Sequence, residues 1–97
     1  MSAYVVIRVK VSEPSLLKDY QKVAPAAIEK YDGKLIVRGG ELSTLEGPEE
    51  KRRIVIIEFP SLDKAKEFYN SKEYKEAIEL RKGLAEFEVV AIEGIQS

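Results

Sequence analysis

The sequence has no histidine, no cysteine and no tryptophan among its 97 residues. The absence of cysteine excludes disulfides, thiolate nucleophiles and cysteine-bound zinc. The absence of histidine removes the commonest metal ligand and the usual proton shuttle at neutral pH. The carboxylates show no recognisable ligand spacing. We therefore predict no metal ion and no cofactor, and expect any chemistry to come from Asp, Glu, Lys, Arg, Tyr or Ser side chains.

An excess of one charge and long apolar runs are also missing. The 16 basic and 17 acidic residues leave a net charge of −1, and no basic block stands out, so we expect neither a nucleic acid nor a membrane surface as partner. No apolar run is long enough to cross a bilayer, and the N-terminus has no signal-peptide core. A cytoplasmic protein is predicted. Abundant Glu and Lys with a single Asn are typical of hyperthermophile and of designed sequences.

The apolar periodicity divides the chain into strands and helices of one domain, residues 1–97. Strands are predicted over residues 4–11, 34–40, 53–59 and 86–94. A helix is predicted after Pro14, kinked or interrupted by Pro25, with Gly33 in a left-handed conformation at its end. A second helix begins at Leu62, capped by Ser61, and restarts at Ser71.

This order of elements, β-α-β-β-α-β, predicts an α+β, ferredoxin-like fold with a four-stranded antiparallel sheet and two helices on one face. By strict alternation, the other face would carry Tyr4, Val6, Ile36, Arg38, Ile54, Ile56 and Glu58. Several of these side chains are too large and apolar for a surface left exposed to water. We therefore predict a homodimer in which a second copy of the sheet covers this face.

Two charged residues interrupt strands that are otherwise apolar, Arg38 in the second and Glu58 in the third. A charge in such a strand needs a partner, a ligand or contact with water. Alternation predicts both side chains on the same face, in a polar spot of a mostly apolar cavity under the sheet. There Arg38 would bind a carboxylate or enolate and Glu58 would act as general base. The alternative is that the two pair with each other, or with Arg8 or Arg53.

Three tyrosines and one further arginine are candidate ligand contacts. Tyr69 and Tyr74 flank the predicted helix break, Tyr4 lies on the face assigned to the dimer, and Arg81 ends the last helix. The alternative for the tyrosines is a core position with an exposed hydroxyl. The alternative for Arg81 is an ion pair or contacts with carbonyls at the helix end.

The Gly39-Gly40 pair does not resemble a phosphate-binding loop. No Gly-x-Gly-x-x-Gly pattern and no following helix accompany it. A β-bulge, or a close approach of the backbone to another group, is the expected reason for these glycines.

Several short motifs follow one another along the whole chain: Tyr4-Val5-Val6, Tyr31-Asp32-Gly33-Lys34, Val37-Arg38-Gly39-Gly40, Leu45-Glu46-Gly47, Glu58-Phe59-Pro60-Ser61, the segment 68–74, and Arg81. Their order and spacing resemble the family called domain of unknown function 1330. The resemblance implies a ferredoxin-like protomer of the dimeric α/β-barrel superfamily, in which two sheets pair face to face. Relatives in that superfamily include cofactor-independent monooxygenases, isomerases, cyclases and ligand-sensing modules. Several of those enzymes rely on a histidine, which this chain lacks.

Three functional hypotheses follow. The first is a cofactor-independent enzyme that performs proton transfer or isomerisation on a small carboxylated or aromatic molecule, with Glu58 as base and Arg38 as anion stabiliser. The second is a module that binds such a molecule without turnover. The third is a structural homodimer in which the charged pair only fixes the register of the two copies.

Overall fold

Four strands form one antiparallel sheet in the order β2-β3-β1-β4 in the computed structural model, which describes residues 2–95. The strands are β1 (Ala3–Lys10), β2 (Lys34–Arg38), β3 (Arg53–Phe59) and β4 (Glu86–Glu93). The helical elements are a 3-10 turn (Pro14–Leu17), α1 (Lys18–Lys30), α2 (Leu62–Asn70) and α3 (Lys72–Arg81). The predicted α+β, ferredoxin-like fold is confirmed.

The helices cover one face of the sheet, which we call the helix face. The strand residues that point to this side and join the buried core are Val5, Ile7, Val9, Ile57 and Phe59. The opposite side, the open face, carries Tyr4, Val6, Arg8, Ile54, Ile56 and Glu58, which alternate with those core residues along β1 and β3. Two buried rings fasten the helices to the sheet, because the ring centroid of Phe68 lies 5.0 Å from that of Phe59 and 4.3 Å from that of Tyr74.

The pairing of β2 with β3 contains a β-bulge. The paired residues are Lys34 with Glu58, Leu35 with Ile57, Val37 with Ile56, and Arg38 with Val55. Ile36 is thus an extra residue, and it shifts the alternation of the residues that follow it. Arg38 shares the helix face with Val55, whereas Glu58 lies on the open face. The prediction that Arg38 and Glu58 lie on the same face was wrong because it assumed an unbroken alternation.

The two predicted serine caps are present, whereas the predicted interruption of the first helix is not found. The Ser61 and Ser71 hydroxyls accept hydrogen bonds from backbone N–H groups three residues later, so α2 and α3 begin where predicted. The interruption near Pro25 is not found, since α1 runs through it. Within residues 2–95, none of the helices is long and apolar enough to cross a membrane. The cytoplasmic location stays a prediction.

Gly33 is required for packing rather than for its backbone angle. The left-handed residue after α1 is Asp32, with φ of 63°, and not Gly33 as predicted. A Cβ atom on Gly33 would lie 2.7 Å from Cε1 of Phe59 and 2.8 Å from Cγ2 of Ile28. We expect Gly33→Ala to lower the free energy of unfolding by about 1–3 kcal/mol, the usual range for overpacking. Urea denaturation measures it, with Gly40→Ala as control.

Gly40 is a suitable control because a Cβ there would meet nothing within 4 Å. Equal stabilities of the two variants would contradict the packing role of Gly33.

Candidate functional site

A cavity of about 640 Å³ lies between the helix face and α1 with the 3-10 turn before it. Its size falls in the range of roughly 300–1,000 Å³ that is usual for ligand pockets. Its apolar wall consists of Ile7, Val9, Pro14, Leu17, Ala24, Pro25, Ile28, Leu35, Val55, Ile57 and Phe87. The polar residues that line it are Ser15, Lys18, Tyr20, Gln21, Arg38 and Arg53. This cavity lies on the helix face, whereas the cavity predicted on the face that carries Glu58, under a second copy of the sheet, stays a prediction.

The charged residues that line this cavity are all basic. Lys18, Arg38 and Arg53 line it, and no acidic side chain of the described residues does. The Nε atom of Arg53 is buried without a hydrogen-bond partner. No ion pair within residues 2–95 involves Arg38 or Arg53. A buried donor of this kind gains most from an anionic acceptor.

Arg53 reaches the cavity across a glycine. It pairs with Val9 of β1 and therefore lies on the helix face. Gly39 has a φ of 60°, and its N–H donates a hydrogen bond of 2.8 Å to the carbonyl of Ile54. A Cβ atom on Gly39 would lie 2.3 Å from Nε of Arg53. The close approach expected at Gly39-Gly40 is thus found at Gly39, where the missing side chain leaves room for the guanidinium group.

A second group of polar residues, Tyr20, Tyr74 and Arg81, lies beside Phe87 of the cavity wall. The Tyr20 and Tyr74 hydroxyl oxygens are 2.5 Å apart. The guanidinium carbon of Arg81 lies 3.7 Å from the ring centroid of Phe87 and 5.5 Å from that of Tyr20. Burial, with Tyr74 nearby, raises the pKa of the Tyr20 phenol far above its usual range. Tyr20 therefore stays protonated at physiological pH and can donate a hydrogen bond.

The residues predicted to contact a ligand lie mostly outside the cavity wall. Tyr74 is fully buried and Arg81 nearly so, both behind Tyr20 and Phe87 rather than in the lining. Tyr69 is partly exposed, and its ring centroid lies 5.7 Å from that of Tyr74. Of the residues proposed from the sequence as ligand contacts, Arg38 is the one that lines the cavity among the residues described.

Glu58 and Tyr4 form a separate pair on the open face. The Tyr4 hydroxyl donates a hydrogen bond of 3.4 Å to Oε2 of Glu58. Because Arg38 points to the other side of the sheet, the predicted proximity of Arg38 and Glu58 does not exist. A role of Glu58 as general base stays a prediction, and it would concern the open face and not the cavity.

The open face also carries a cluster of alternating charges. Nε of Arg8 lies 3.3 Å from Glu50, Nε of Arg52 lies 2.9 Å from Glu50, and Arg52 also pairs with Glu88. The hydrogen bonds from Arg52 lower the pKa of Glu50 to about 2. This cluster ties the end of the β2–β3 connection to β1 and β4. No group of three or more acidic residues within residues 2–95 is arranged to hold a metal ion.

Two cavity residues, Arg53 and Tyr20, were not predicted from the sequence as ligand contacts. Arg53 had a usable signal, because it alternates with Val55, Ile57 and Phe59 and so belongs to the side that packs on the helices. Its charge on the buried side was as anomalous as that of Arg38. Tyr20 carried no such signal, since an aromatic residue in an apolar helical stripe is usually core.

Known structures share this fold at low sequence identity. A protein of unknown function from Rhodopseudomonas palustris is 18% identical, with a TM-score of 0.74 over 99% of this chain and 84% of that one. The cofactor-independent oxygenase SnoaB from Streptomyces nogalater is 13% identical, with a TM-score of 0.66 over 99% and 95% of the two chains. A dimeric ferredoxin-like protein of unknown function from Bacteroides fragilis is 17% identical, with a TM-score of 0.61 over 96% of both.

No curated protein matches this sequence. The profile of the family described as domain of unknown function (DUF1330) matches residues 2–95, nearly the whole chain. This agrees with the resemblance carried by the short motifs. The chain belongs to the domain of unknown function 1330 family.

Proposed function

We propose that the protein binds a small, mostly apolar molecule with a carboxylate group in the cavity between α1 and the helix face. The observation that carries this proposal is the composition of the wall, in which Lys18, Arg38 and Arg53 are the charged residues and the rest is largely apolar. A guanidinium group offers a planar fork of donors that fits a carboxylate. Such a ligand would also give the Arg53 guanidinium group, which has no ion-pair partner within residues 2–95, an anionic acceptor.

The test uses para-isopropylbenzoate as an apolar carboxylate probe, with binding followed by isothermal titration calorimetry. We expect Arg38→Met and Arg53→Met each to weaken binding by about 10- to 100-fold, because each removes charged hydrogen bonds worth roughly 1.5–3 kcal/mol. The control is Arg8→Met, which makes the same change on the open face and should leave the Kd unchanged. The neutral analogue para-isopropylbenzyl alcohol should bind weakly and respond little to either cavity substitution.

A matched pair of glycine variants examines Arg53 without changing it. Gly39 and Gly47 both have positive φ angles, but only at Gly39 would a Cβ atom collide with Arg53. Gly39→Ala should therefore weaken binding of the benzoate, whereas Gly47→Ala should not. If wild-type protein binds no carboxylate probe, or if both arginine variants bind it as wild type does, the proposed function is wrong.

Catalysis on the bound molecule is a second candidate. The similarity of fold to SnoaB, a cofactor-independent oxygenase, favours it, and the neutral Tyr20 hydroxyl supplies a proton donor in the wall. Glu58→Gln distinguishes where the chemistry would occur. Turnover in the cavity should survive this substitution, because Glu58 lies on the open face, whereas a reaction that uses Glu58 as base should be lost.

We further propose that the protein is a homodimer joined through its open faces. Exposed apolar side chains support this arrangement, since Val90 is 54% and Ile92 60% exposed and both lie beside Val6 and Tyr4 of β1. The ferredoxin-like protein from Bacteroides fragilis is described as dimeric. A purely structural homodimer would form the same interface and leave the cavity without affinity for the benzoate.

A further inference from the structure

We propose that Tyr20 donates a hydrogen bond to an oxygen acceptor on the ligand, at the end remote from its carboxylate, and that Tyr74 fixes the direction of that proton. This inference rests on the proposed function, since it concerns the same cavity. It assigns the ligand a second polar group, and with it a substrate class.

The direction of the proton follows from burial. Tyr74 is fully buried, and within residues 2–95 its hydroxyl has the Tyr20 hydroxyl as its one side-chain hydrogen-bond partner, at 2.5 Å. If Tyr20 donated to Tyr74, the proton of Tyr74 would be buried without an acceptor, an arrangement that folded proteins rarely tolerate. We therefore assign Tyr74 as the donor and Tyr20 as the acceptor of this hydrogen bond. The proton of Tyr20 is then directed away from Tyr74, and Tyr20 lines the cavity.

Because Arg81 cannot accept the proton of Tyr20, the acceptor for that proton has to come from the cavity. A guanidinium group carries donors only, so Arg81 cannot accept the Tyr20 proton. Its charge, 5.5 Å from the Tyr20 ring centroid, also favours an acceptor that carries negative charge or a strong dipole. A carbonyl or ionised oxygen of the ligand fits this position, whereas an aliphatic group would leave the Tyr20 proton without a partner.

The two polar positions lie at different parts of the cavity. Phe87, Val9 and Arg53 lie side by side on β4, β1 and β3. Two strand spacings separate Phe87 from Arg53, about 10 Å in total. The Tyr20 ring packs edge-on against Phe87, with centroids 5.5 Å apart. The ligand class is therefore an elongated, mostly apolar acid with a carbonyl-type oxygen at its other end, such as an aromatic keto acid.

A pair of probes of similar size tests this assignment. Para-acetylbenzoate and para-isopropylbenzoate differ in that a carbonyl oxygen replaces a methyl group, and the corresponding biphenyl carboxylates extend the pair to a longer span. We expect wild-type protein to bind at least one acetyl probe about 3- to 10-fold more tightly than its isopropyl partner, the effect of one net hydrogen bond. Tyr20→Phe should abolish this preference and leave the Kd of the isopropyl probe within about 2-fold.

Tyr74→Phe tests the positioning role. It removes the donor to Tyr20 but no cavity atom, so we expect a reduced preference for the acetyl probe with unchanged isopropyl binding. A merely structural role would change the affinity of both probes equally. Tyr69→Phe is the control, because Tyr69 packs against Tyr74 outside the cavity wall. This variant should keep the wild-type ratio of the Kd values for the acetyl and isopropyl probes.

The outcomes separate the two proposals. Equal or weaker binding of both acetyl probes by wild-type protein, or a preference that persists in Tyr20→Phe, overturns the role of Tyr20 and leaves the arginine results intact. If none of the carboxylates binds, or if binding ignores Arg38 and Arg53, the proposed function fails first. The ratio of the Kd values for the acetyl and isopropyl probes is measured on wild-type protein. It therefore tests the preference for a carbonyl oxygen even if Tyr20→Phe does not fold.

Discussion

Phe68→Ala is expected to lower the free energy of unfolding by about 3–5 kcal/mol, the range for removal of a buried aromatic side chain. The Phe68 side chain is 0% exposed, and its ring packs between Phe59 of β3 and Tyr74 of α3. Its removal would leave a cavity where α2, α3 and the sheet meet. Urea denaturation followed by circular dichroism measures the loss.

Tyr69→Ala is the control for this prediction. Tyr69 is the next residue of α2 but is 37% exposed, so we expect a loss of about 1 kcal/mol, typical of a partly exposed site. A loss for Phe68→Ala no larger than that for Tyr69→Ala would mean that the aromatic cluster is not the main link between helices and sheet.

Ile92→Lys is expected to raise the dimer dissociation constant by more than about 100-fold. Ile92 is largely exposed in the protomer and pairs with Tyr4 in the open face, so the protomer should keep its fold. In the proposed dimer, each interface would bury two lysine charges without partners, and an uncompensated buried charge costs about 3–5 kcal/mol. Sedimentation equilibrium measures the change.

Leu80→Lys is the matched control, because Leu80 lies on α3, away from the open face, and is 37% exposed. It should leave the dimer intact. A wild-type protein that remains monomeric at micromolar concentration, or an Ile92→Lys variant that keeps its dimer, would contradict an interface through the open face.

The two faces of the sheet are expected to act independently. The cavity lies on the helix face and the proposed interface on the open face, with the sheet between them. Ile92→Lys should therefore leave the affinity for para-isopropylbenzoate unchanged. A coupled loss of dimer and ligand binding would instead favour a site that spans both copies.

The fold and the apolar character of the open face follow from local patterns in the sequence. Alternation of period two and apolar helical stripes are local patterns, so the order of elements could be read directly from them. The restart of the helix at Ser71 could also be predicted, because a serine cap accepts a hydrogen bond from a backbone N–H in the first turn that follows it. The apolar side chains at Val6, Ile54 and Ile56 followed from the same alternation.

The positions of the cavity and of its polar groups depend on contacts between residues that are distant in the sequence. One extra residue, Ile36, moves Arg38 to the opposite face, and a bulge depends on pairing with β3 rather than on local pattern. The contact of Tyr20 with Tyr74 joins residues 54 positions apart, and it exists because α1 and α3 pack side by side on the sheet. The periodicity of the sequence reflects local structure and not such distant contacts. The fold could therefore be predicted from it, whereas Arg38 was the one polar residue of the cavity that was proposed from the sequence as a ligand contact.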